Sequence, residues 1–475
     1  MASSSSFYRC FHAFLLFSFL LVEKPSLVSA GAPARKHHLV DVESLLPASS
    51  CSDVPDTTAA STSKLKVVHR HGPCSTLTPH QAKPSHVDLL HLDQSRVDSI
   101  HHRAITAAAA AGHLPNPAAS TLSSSVPANT GSALGTGNYV VTVGLGTPKK
   151  DFSVVFDTGS DLTWTQCVPC STCYTQQDPI YDPTQSSTYA NISCSSDYCN
   201  ELDQSSCSSS STCLYQVLYG DNSQTQGSLV SDTLTLAADS IPNFRYGCGH
   251  ENTGLFGKSD GLLGLGRDSV SIVSQTAQRY NKVFSYCLPS KSSYTGFLQL
   301  GAGGAAGGLQ YTPMQTNPNV PSFYFIKLVG ISVGAQRLPI QPTTFTAPGT
   351  LLDSGTVISR LPPAAYAALR SRFSQLMTRY PKAPALSILD TCYDFTGYKT
   401  VKVPTIGLLF DGGLTVNVDF TGILYVASVS QACLAFAGNG DPGDVGIIGN
   451  VQQRRLSVFY DAANLKIGFG ANGCS

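Results

Sequence analysis

The chain has 475 residues, enough for two or three domains with sizeable cores. Only 13% of the residues are charged, and 30 lysines and arginines balance 30 aspartates and glutamates. This neutrality argues against a dedicated nucleic-acid or polybasic membrane binder, because either would carry an excess of basic residues. With 41 glycines and 28 prolines, the composition favours a turn-rich, mostly β protein.

Residues 1–30 have the pattern of a secretory signal peptide. Arg9 precedes an apolar run from Cys10 to Val22, and small residues lead up to Ala30. A membrane anchor is the alternative, but the run is short for a spanning helix. A chloroplast transit peptide is a second alternative, because this segment is rich in serine and poor in acidic residues. We expect a soluble, secreted (extracellular or apoplastic) product without a membrane anchor, with the chloroplast or vacuole as alternative destinations.

Residues 31–130 differ from the rest of the chain and hold ten of its twelve histidines. The stretch from Leu92 to Ala111 predicts a helix, and the Ala/Ser/Pro-rich sequence after it predicts an exposed linker. We interpret the segment as a removable propeptide followed by a linker, with a disordered tail as the alternative. Protonation of ten histidines would add positive charge, so we hypothesise that these residues repel one another and release the propeptide at acidic pH. A solubility or export segment with incidental histidines is the alternative.

From about Thr136 onward the sequence predicts strands and contains an internal repeat. One hairpin is predicted in residues 213–236, with its turn near 220–222, and one clear helix begins at Pro362. In the first half, an apolar strand ends in Asp-Thr-Gly at 157–159, and "DGLLGLG" follows about a hundred residues later. In the second half, "LLDSGT" and "DVGIIGN" repeat this arrangement at a similar distance.

Cysteine usage agrees with export, because twelve cysteines lie beyond residue 130 and an even number in an exported chain predicts disulfides. The alternative is a zinc site at "CVPCSTC", but its usual second half is missing. The twelve are Cys167, Cys170, Cys173, Cys194, Cys199, Cys207, Cys213, Cys248, Cys287, Cys392, Cys433 and Cys474.

The segments "FDTGSDLTW", "LYGDNSQTQG", "DGLLGLG", "LLDSGT" and "GIIGN" resemble the pepsin-like aspartic proteases, over nearly everything from residue 136 to the end. The cysteine cluster and "VVHRHGPC" in the propeptide resemble the plant nepenthesin-type branch, which includes chloroplast-nucleoid relatives. The resemblance implies a mostly β, bilobal fold with two pseudo-symmetric β lobes and a central cleft. The lobes would span residues 131–320, with a Cys-rich insert at 167–213, and residues 321–475.

The resemblance assigns catalysis to Asp157 and Asp353. Two adjacent carboxylates cannot both ionise cheaply, so they share one proton. The ionised aspartate then acts as a general base for a water molecule, and the protonated one acts as a general acid on the peptide carbonyl. A structural turn at either aspartate is the alternative. The expected activity is that of an aspartic endopeptidase, made as a proenzyme, which cleaves polypeptides between bulky apolar residues at acidic pH.

Further residues receive supporting roles from the same resemblance. Those of the two catalytic loops are Thr158, Gly159, Ser160, Ser354, Gly355 and Thr356. Tyr219 and Gly220 belong to a flap over the substrate, and Trp164 supports the flap tyrosine, with simple core packing as its alternative. Leu262, Leu263, Ile447 and Ile448 are expected to support the catalytic loops from beneath.

The resemblance also implies six disulfide pairs: 167–170, 173–248, 194–213, 199–207, 287–474 and 392–433. The one glycosylation sequon is at Asn191. His250, the only histidine beyond residue 130, has no evident catalytic partner and is interpreted as structural.

No metal or other cofactor is expected, and the expected partners are polypeptide substrates and the chain's own propeptide, acting as an intramolecular inhibitor. The resemblance implies that the protein is a monomer. The alternative function is non-catalytic binding on the same fold, as in plant xylanase inhibitors or a DNA-binding nucleoid protein, although nucleic acid is disfavoured by the neutral charge.

Overall fold

The computed structural model describes residues 36–46, 48–52, 63–77, 85–110, 139–219, 223–254, 256–304, 308–346 and 348–474. The predicted signal peptide at 1–30, most of the predicted linker and Gly220 lie outside the described residues. We refer to the described part of residues 36–110 as the N-terminal segment. Residues 139–302 form the first half of the remaining chain, and residues 323–474 the second.

Strands predominate over helices among the described residues. Those of the N-terminal segment are β1 (His37–Asp41) and β2 (Lys64–His69). The following strands are β3 (Tyr139–Leu145), β4 (Lys150–Asp157), β5 (Trp164–Gln166), β6 (Ala190–Asn191), β7 (Ser205–Cys207), β8 (Cys213–Leu218), β9 (Gln224–Leu236), β10 (Asp239–Thr253), β11 (Gly261–Gly264), β12 (Val283–Cys287), β13 (Thr295–Leu300) and β14 (Gln310–Gln315).

The strands after residue 320 form the second half of the fold. They are β15 (Phe325–Ile326), β16 (Leu328–Val333), β17 (Gln336–Arg337), β18 (Thr350–Leu352), β19 (Ser359–Leu361), β20 (Lys382–Ala383), β21 (Cys392–Tyr393), β22 (Thr400–Pro404), β23 (Ile406–Phe410), β24 (Thr415–Asn417), β25 (Leu424–Ser428), β26 (Gln431–Leu434), β27 (Phe436–Gly438), β28 (Gly446–Ile448), β29 (Ser457–Asp461) and β30 (Lys466–Gly470). The α-helices are α1 (His86–Ala110), α2 (Asp197–Asn200), α3 (Ile272–Gln275), α4 (Ala277–Tyr280), α5 (Pro363–Leu376) and α6 (Phe420–Ile423).

The repeat in the sequence becomes a repeat in strand pairing. In the first half, β11 runs parallel to β4 and antiparallel to β5, and β5 runs parallel to β10. In the second half, β28 runs parallel to β18 and antiparallel to β19, and β19 runs parallel to β27. Each half therefore places an apolar strand of the later motif directly beside the strand that leads into an aspartate.

A central antiparallel sheet connects the two halves. Its order is β14-β30-β29-β12-β13-β2-β3, so a strand from the first half, β12, pairs directly with one from the second, β29. Stacked aromatic rings underlie this junction, with the centroids of Phe284 and Tyr460 4.4 Å apart. The apolar core beneath the sheet therefore spans both halves and fixes their loops relative to each other.

The N-terminal segment is built into these sheets. Its strand β1 extends the second half by pairing with β22, and β2 lies between β13 and β3 in the central sheet. A disulfide between Cys51 and Cys74 joins the chain before β2 to the chain after it. The helix α1 then buries an apolar face through Leu90, Val97 and Ile100. The predicted helix over residues 92–111 is present and begins six residues earlier, at His86.

Four of the six implied disulfide pairs are wrong, and two, Cys287–Cys474 and Cys392–Cys433, are present. The pairs in the first half are Cys167–Cys248, Cys170–Cys173, Cys194–Cys207 and Cys199–Cys213. Strand pairing explains the first difference, because β5 runs parallel to β10 and brings the following residue, Cys167, beside Cys248. Burial explains the last, because Cys199 and Cys213 share an apolar core.

The predicted hairpin is formed by β8 and β9, with Leu218 opposite Gln224 at its described end. The helix predicted from Pro362 is α5, whose first helical residue is Pro363. Proline suits this position because the first helical N–H has no intrahelical acceptor. Across the described ranges, we find no helix with the length and apolar character needed to cross a membrane.

Candidate active site

Asp157 and Asp353 occupy equivalent places in the two halves. Asp157 is the last residue of β4, opposite Gly264 of the parallel strand β11, and Asp353 directly follows β18. The backbone N–H of Asp353 donates to Ile448 O at 3.1 Å, which fixes the start of its loop. Both aspartates are buried, with 1% and 0% of their surfaces exposed. Buried carboxylates require polar partners, so the surrounding hydrogen bonds decide what this site can do.

The two aspartate loops brace each other through reciprocal hydrogen bonds. The backbone N–H of Ser354 donates to Thr158 Oγ1 at 2.9 Å, and that of Thr158 donates to Ser354 Oγ at 3.1 Å. The two hydroxyl groups are 3.3 Å apart. These residues were expected to brace the paired loops, and the serine at 354 takes its part in the bracing. The contacts link residues 196 positions apart and keep the two aspartates together.

Gly159 and Gly355 permit the close approach of the loops. A Cβ at Gly159 would lie 2.9 Å from Asp353 Oδ1, and a Cβ at Gly355 would lie 2.5 Å from Asp157 Oδ1. Any other residue at either position would therefore push the opposite carboxylate away. Each glycine N–H also donates to the aspartate two residues before it, at 3.0 and 3.1 Å.

The outer oxygens of the two carboxylates have different partners. Thr356 donates to Asp353 Oδ2 from both its hydroxyl, at 2.6 Å, and its backbone N–H, at 2.9 Å. The corresponding hydroxyl of Ser160 is buried beside Asp157 and lowers the pKa of that carboxyl, although it makes no hydrogen bond of normal geometry. The site is therefore asymmetric in its hydrogen bonds while being symmetric in its backbone.

A residue of the N-terminal segment, Arg96 on α1, lies between the two aspartates. Its Nη2 atom donates to Asp157 Oδ1 at 2.7 Å and to both oxygens of Asp353 at 3.0 Å. Its Nε atom donates to Asp353 Oδ2 at 3.1 Å, and its Nη1 atom donates to Asp157 Oδ2 at 3.2 Å. One guanidinium group thus contacts all four carboxylate oxygens, which is the charge-assisted arrangement that binds carboxylates most strongly.

The arginine changes the acid–base properties of the pair. Burial alone would raise the pKa of Asp157, but the charge of Arg96 and its hydrogen bonds outweigh burial, so this pKa lies below its usual value. Burial would likewise lower the pKa of Arg96, and the two aspartates instead raise it above its usual value. With the helix in place, Asp157 is therefore held ionised and is a poor proton acceptor.

The predicted flap residues lie across the same cavity. Trp164 Nε1 donates to Tyr219 Oη at 2.8 Å, and both rings pack edge-on against Phe256, at 4.8 and 5.7 Å between centroids. A cavity of about 280 Å³ lies between this aromatic group, the Asp157 loop and α1. Its apolar lining includes Leu162 and Leu262. The cavity is suited to an apolar side chain adjacent to the carboxylates.

The remaining predicted site residues lie near the site or away from it. Leu263 and Ile448 are buried in strands directly beside those that lead into the aspartates. His250 lies beside the start of the insert, where its Nδ1 atom is 2.9 Å from Pro169 O. Asn191 is exposed on the short strand β6. Within the described ranges, no cluster of three or more histidine, cysteine, aspartate or glutamate side chains has a geometry for a metal ion.

Sequence reasoning missed the two polar residues of α1 that enter the site. Arg96 contacts both aspartates, and Asp93, one turn earlier, accepts hydrogen bonds from the backbone N–H groups of Val357 and Ile358. The available signal was their spacing of three residues, which places both on one face of the predicted helix. Nothing in the helix sequence indicated which distant residues that face would contact.

Comparisons with known proteins identify the family and the fold. The chain matches family models described as "Xylanase inhibitor N-terminal" over residues 139–302 and "Xylanase inhibitor C-terminal" over residues 323–471. Solved structures titled edgp and Basic 7S globulin from soybean share the fold, with TM-scores of 0.58 and 0.56 and identities of 18% and 20%. The first alignment covers 72% of this chain and 93% of the other, and the second covers 70% and 92%.

Curated relatives are more similar in sequence. An aspartyl protease family protein of Arabidopsis thaliana is 51% identical, over 94% of this chain and 95% of the relative. Aspartyl protease AED1 of the same plant is 46% identical, over 92% of each chain. Aspartic proteinase nepenthesin-2 of Nepenthes gracilis is 37% identical, over 72% of this chain and 78% of the relative. The chain belongs to the plant branch of the pepsin-like aspartic protease family, a family of peptide hydrolases.

Proposed function

We propose that the protein is an aspartic endopeptidase whose catalytic residues are Asp157 and Asp353. The observation that carries this proposal is the pair of buried carboxylates on mutually braced loops, which a single guanidinium group bridges. Such a pair needs neither a histidine nor a metal ion to activate water. The cavity beside it, with Leu162 and Leu262 in its lining, supports cleavage next to bulky apolar residues.

In the proposed mechanism, a water molecule binds between the two carboxylates once the helix has left. One carboxylate is ionised and takes a proton from this water as the water attacks the peptide carbonyl. The other is protonated and donates its proton to the carbonyl oxygen, which gives a tetrahedral diol. The C–N bond of the diol then breaks as the first carboxyl group passes the proton from water to the leaving nitrogen and the second carboxylate takes a proton from one hydroxyl group. The hydrogen bonds from Thr356 fix the orientation of the Asp353 carboxyl group.

The flap would complete the site during catalysis. The hydrogen bond from Trp164 holds the Tyr219 ring against Phe256, at the edge of the cavity that faces Asp157. Closure of the β8–β9 hairpin over a bound peptide would exclude bulk water and strengthen the electrostatic interactions around the carboxylates.

We further propose that the protein is made as a proenzyme and that the N-terminal segment is its inhibitor. Arg96 occupies the position in which the catalytic water and the substrate carbonyl would bind, so no peptide can react while α1 is in place. The strands β1 and β2 support this role, because they anchor the segment by pairing with β22 and with β13 and β3 of the central sheet. The segment would then leave after the linker is cut.

Acid would weaken this inhibition through the aspartate pair. The pKa of Asp157 is lowered when the helix is bound, so the ion pair stabilises the bound state fully above the ordinary aspartate pKa of about 4. This contribution is lost as the pH falls toward the lowered value. Asp93 acts in the opposite direction, because burial raises its pKa in the bound helix and its protonation favours binding. The acid response is therefore assigned to the pair.

Two histidines of α1 contact the body of the protein. The pKa of His86 is lowered by partial burial against Tyr425, so its protonation would favour release below about pH 6.5. His101 is buried, with its Nε2 atom 2.9 Å from Val445 O and its Nδ1 atom 3.6 Å from a carboxylate oxygen of Asp444. The hypothesis of acid release through the histidines therefore gains support at His86.

We propose export as the route of synthesis, directed by residues 1–30. The seven disulfides among the described residues support an oxidising compartment, because such bonds are rare in reducing ones. The exposed sequon at Asn191 is the proposed glycan site on this route. Detection of the mature protein in the medium or apoplast, rather than in vacuoles or chloroplasts, would test this assignment.

The family models described as xylanase inhibitors favour one second candidate, a non-catalytic binder of a glycoside hydrolase. Hydrolysis of a denatured protein substrate between pH 2 and 8, with and without pepstatin, separates the two functions. Acid activity that pepstatin abolishes supports the protease. A folded, propeptide-free sample that has no activity but inhibits a xylanase would support the binder.

A further inference from the structure

The carboxylate of Asp93 on α1 is held by three donors of the second half. It is fully buried and accepts hydrogen bonds from the backbone N–H of Val357 at 2.6 Å and of Ile358 at 3.1 Å. The third donor is Nη2 of Arg360, at 3.0 Å. Two backbone amides and one guanidinium group that converge on a carboxylate make a built anion site.

Arg360 belongs to the body of the protein and is held rigidly there. It is the central residue of β19, opposite Ile447 of β28, and only 1% of its surface is exposed. Its Nη1 atom donates to Ile358 O at 2.6 Å, and its Nε atom is buried without a partner. Among the described residues, its single ion-pair partner is Asp93.

Removal of α1 therefore changes the environment of Arg360 more than its position. The guanidinium group loses both Asp93 and Gln94 Oε1, which lies 3.2 Å away on the same helix. A buried arginine without a counter-ion is costly, and its planar fork matches carboxylate geometry. The vacated site lies in the same cleft as the catalytic pair, because Asp93 precedes Arg96 by about 4.5 Å along the helix axis.

We infer that Arg360, with the amides of Val357 and Ile358, forms a substrate subsite that binds a carboxylate of the peptide. The source of that carboxylate is the side chain of a glutamate or aspartate a short distance from the scissile bond, and Asp93 occupies its place in the proenzyme. This inference rests on the proposed protease function. It adds a requirement for an acidic residue to the apolar preference expected beside the cavity.

Matched peptides test this subsite with the propeptide-free enzyme. The two peptides of each pair have the same apolar residues on both sides of the scissile bond. They differ at one of the four positions before or after that bond, where one peptide has glutamate and the other has glutamine. At pH 5, above the glutamate pKa of about 4.3, the glutamate peptide should be cleaved with kcat/KM about ten- to a hundredfold higher at one position. A second set with free or amidated C-termini distinguishes a side-chain carboxylate from a terminal one.

Two variants test whether Arg360 causes the preference for glutamate. Arg360→Gln should abolish the glutamate preference while retaining cleavage of the glutamine peptide. Arg337→Gln, an exposed arginine on β17, should leave the preference unchanged. If Arg360→Gln does not fold, the double variant Asp93→Asn with Arg360→Gln keeps a hydrogen-bonded pair without charges. The comparison of glutamate and glutamine peptides on the wild-type enzyme needs no variant.

The outcomes separate the subsite from the function. Cleavage of the neutral peptides with no carboxylate preference at any position would overturn the subsite and leave the protease assignment intact. A preference that survives Arg360→Gln would overturn the role of this arginine. Absence of cleavage of every peptide would overturn the protease assignment and the subsite with it.

Discussion

Substitution of Arg96 by glutamine should release the latency of the proenzyme. The side chain of Arg96 is 16% exposed and makes charge-assisted hydrogen bonds to both aspartates. Glutamine keeps a polar side chain and a high helix propensity, so α1 itself should persist. The change removes the cation and leaves the two carboxylates facing an uncharged amide.

The contacts set the size of this effect. Loss of one partner of a buried ion pair costs about 3–5 kcal/mol. The lower end applies here, because the freed aspartates can share a proton and so relieve part of the penalty. A loss of about 3 kcal/mol in helix binding corresponds to a rise of roughly 150-fold in the fraction of open proenzyme. The effect should be largest near neutral pH, where the ion pair is fully formed.

The assay is the initial rate of peptide hydrolysis by the uncleaved proprotein at pH 6, before any processing is visible on a gel. Arg96→Gln should show pepstatin-sensitive activity at once, whereas the wild type should show a lag. His91→Gln is the matched control, because His91 lies on the exposed face of the same helix. Equal lags for the Arg96 variant and the wild type would refute the role of this ion pair in latency.

Three further predictions concern the pair, its braces and the flap. Because binding of the helix lowers the pKa of Asp157, the half-time of activation should shorten as the pH falls through about 4, and a pH-independent half-time would contradict this linkage. Thr158→Val removes the acceptor of the Ser354 N–H and should cost about 1–3 kcal/mol of unfolding free energy in denaturant titrations, whereas an unchanged midpoint would count against the brace. Trp164→Phe deletes the hydrogen bond to Tyr219 and should lower kcat/KM about three- to tenfold with little change in Tm, and an unaltered kcat/KM would assign Trp164 to packing alone.

The sequence was informative where a feature depends on neighbouring residues. The β strand into Asp157, the two glycine turns and the hairpin that carries Tyr219 are each encoded in one continuous stretch of the chain. The repeat added long-range information, because two copies of one motif predict two equivalent loops, and the structure brings Asp157 and Asp353 together. Propensity and repetition therefore predicted a mostly β protein with two equivalent aspartate loops, and the family resemblance implied the bilobal fold and the candidate site.

Features that depend on the meeting of distant segments could not be predicted in this way. The contact between Arg96 and Asp353 joins residues 257 positions apart, and no pattern in the helix specifies its target. The implied disulfide pairs of the first half were wrong for a related reason, since Cys167 meets Cys248 only because β5 and β10 are parallel neighbours. Cysteine spacing carries no information on strand pairing.

The most direct measurement of the central claim is the rate of peptide hydrolysis at acidic pH by Asp157→Asn and Asp353→Asn beside the wild type. The propeptide should be removed from all three by the same added protease, because inactive variants cannot process themselves. Both variants, shown to be folded by their thermal transitions, should lose at least about a thousandfold in kcat. A rate above about one-tenth of the wild type in either folded variant would contradict catalysis by the paired carboxylates.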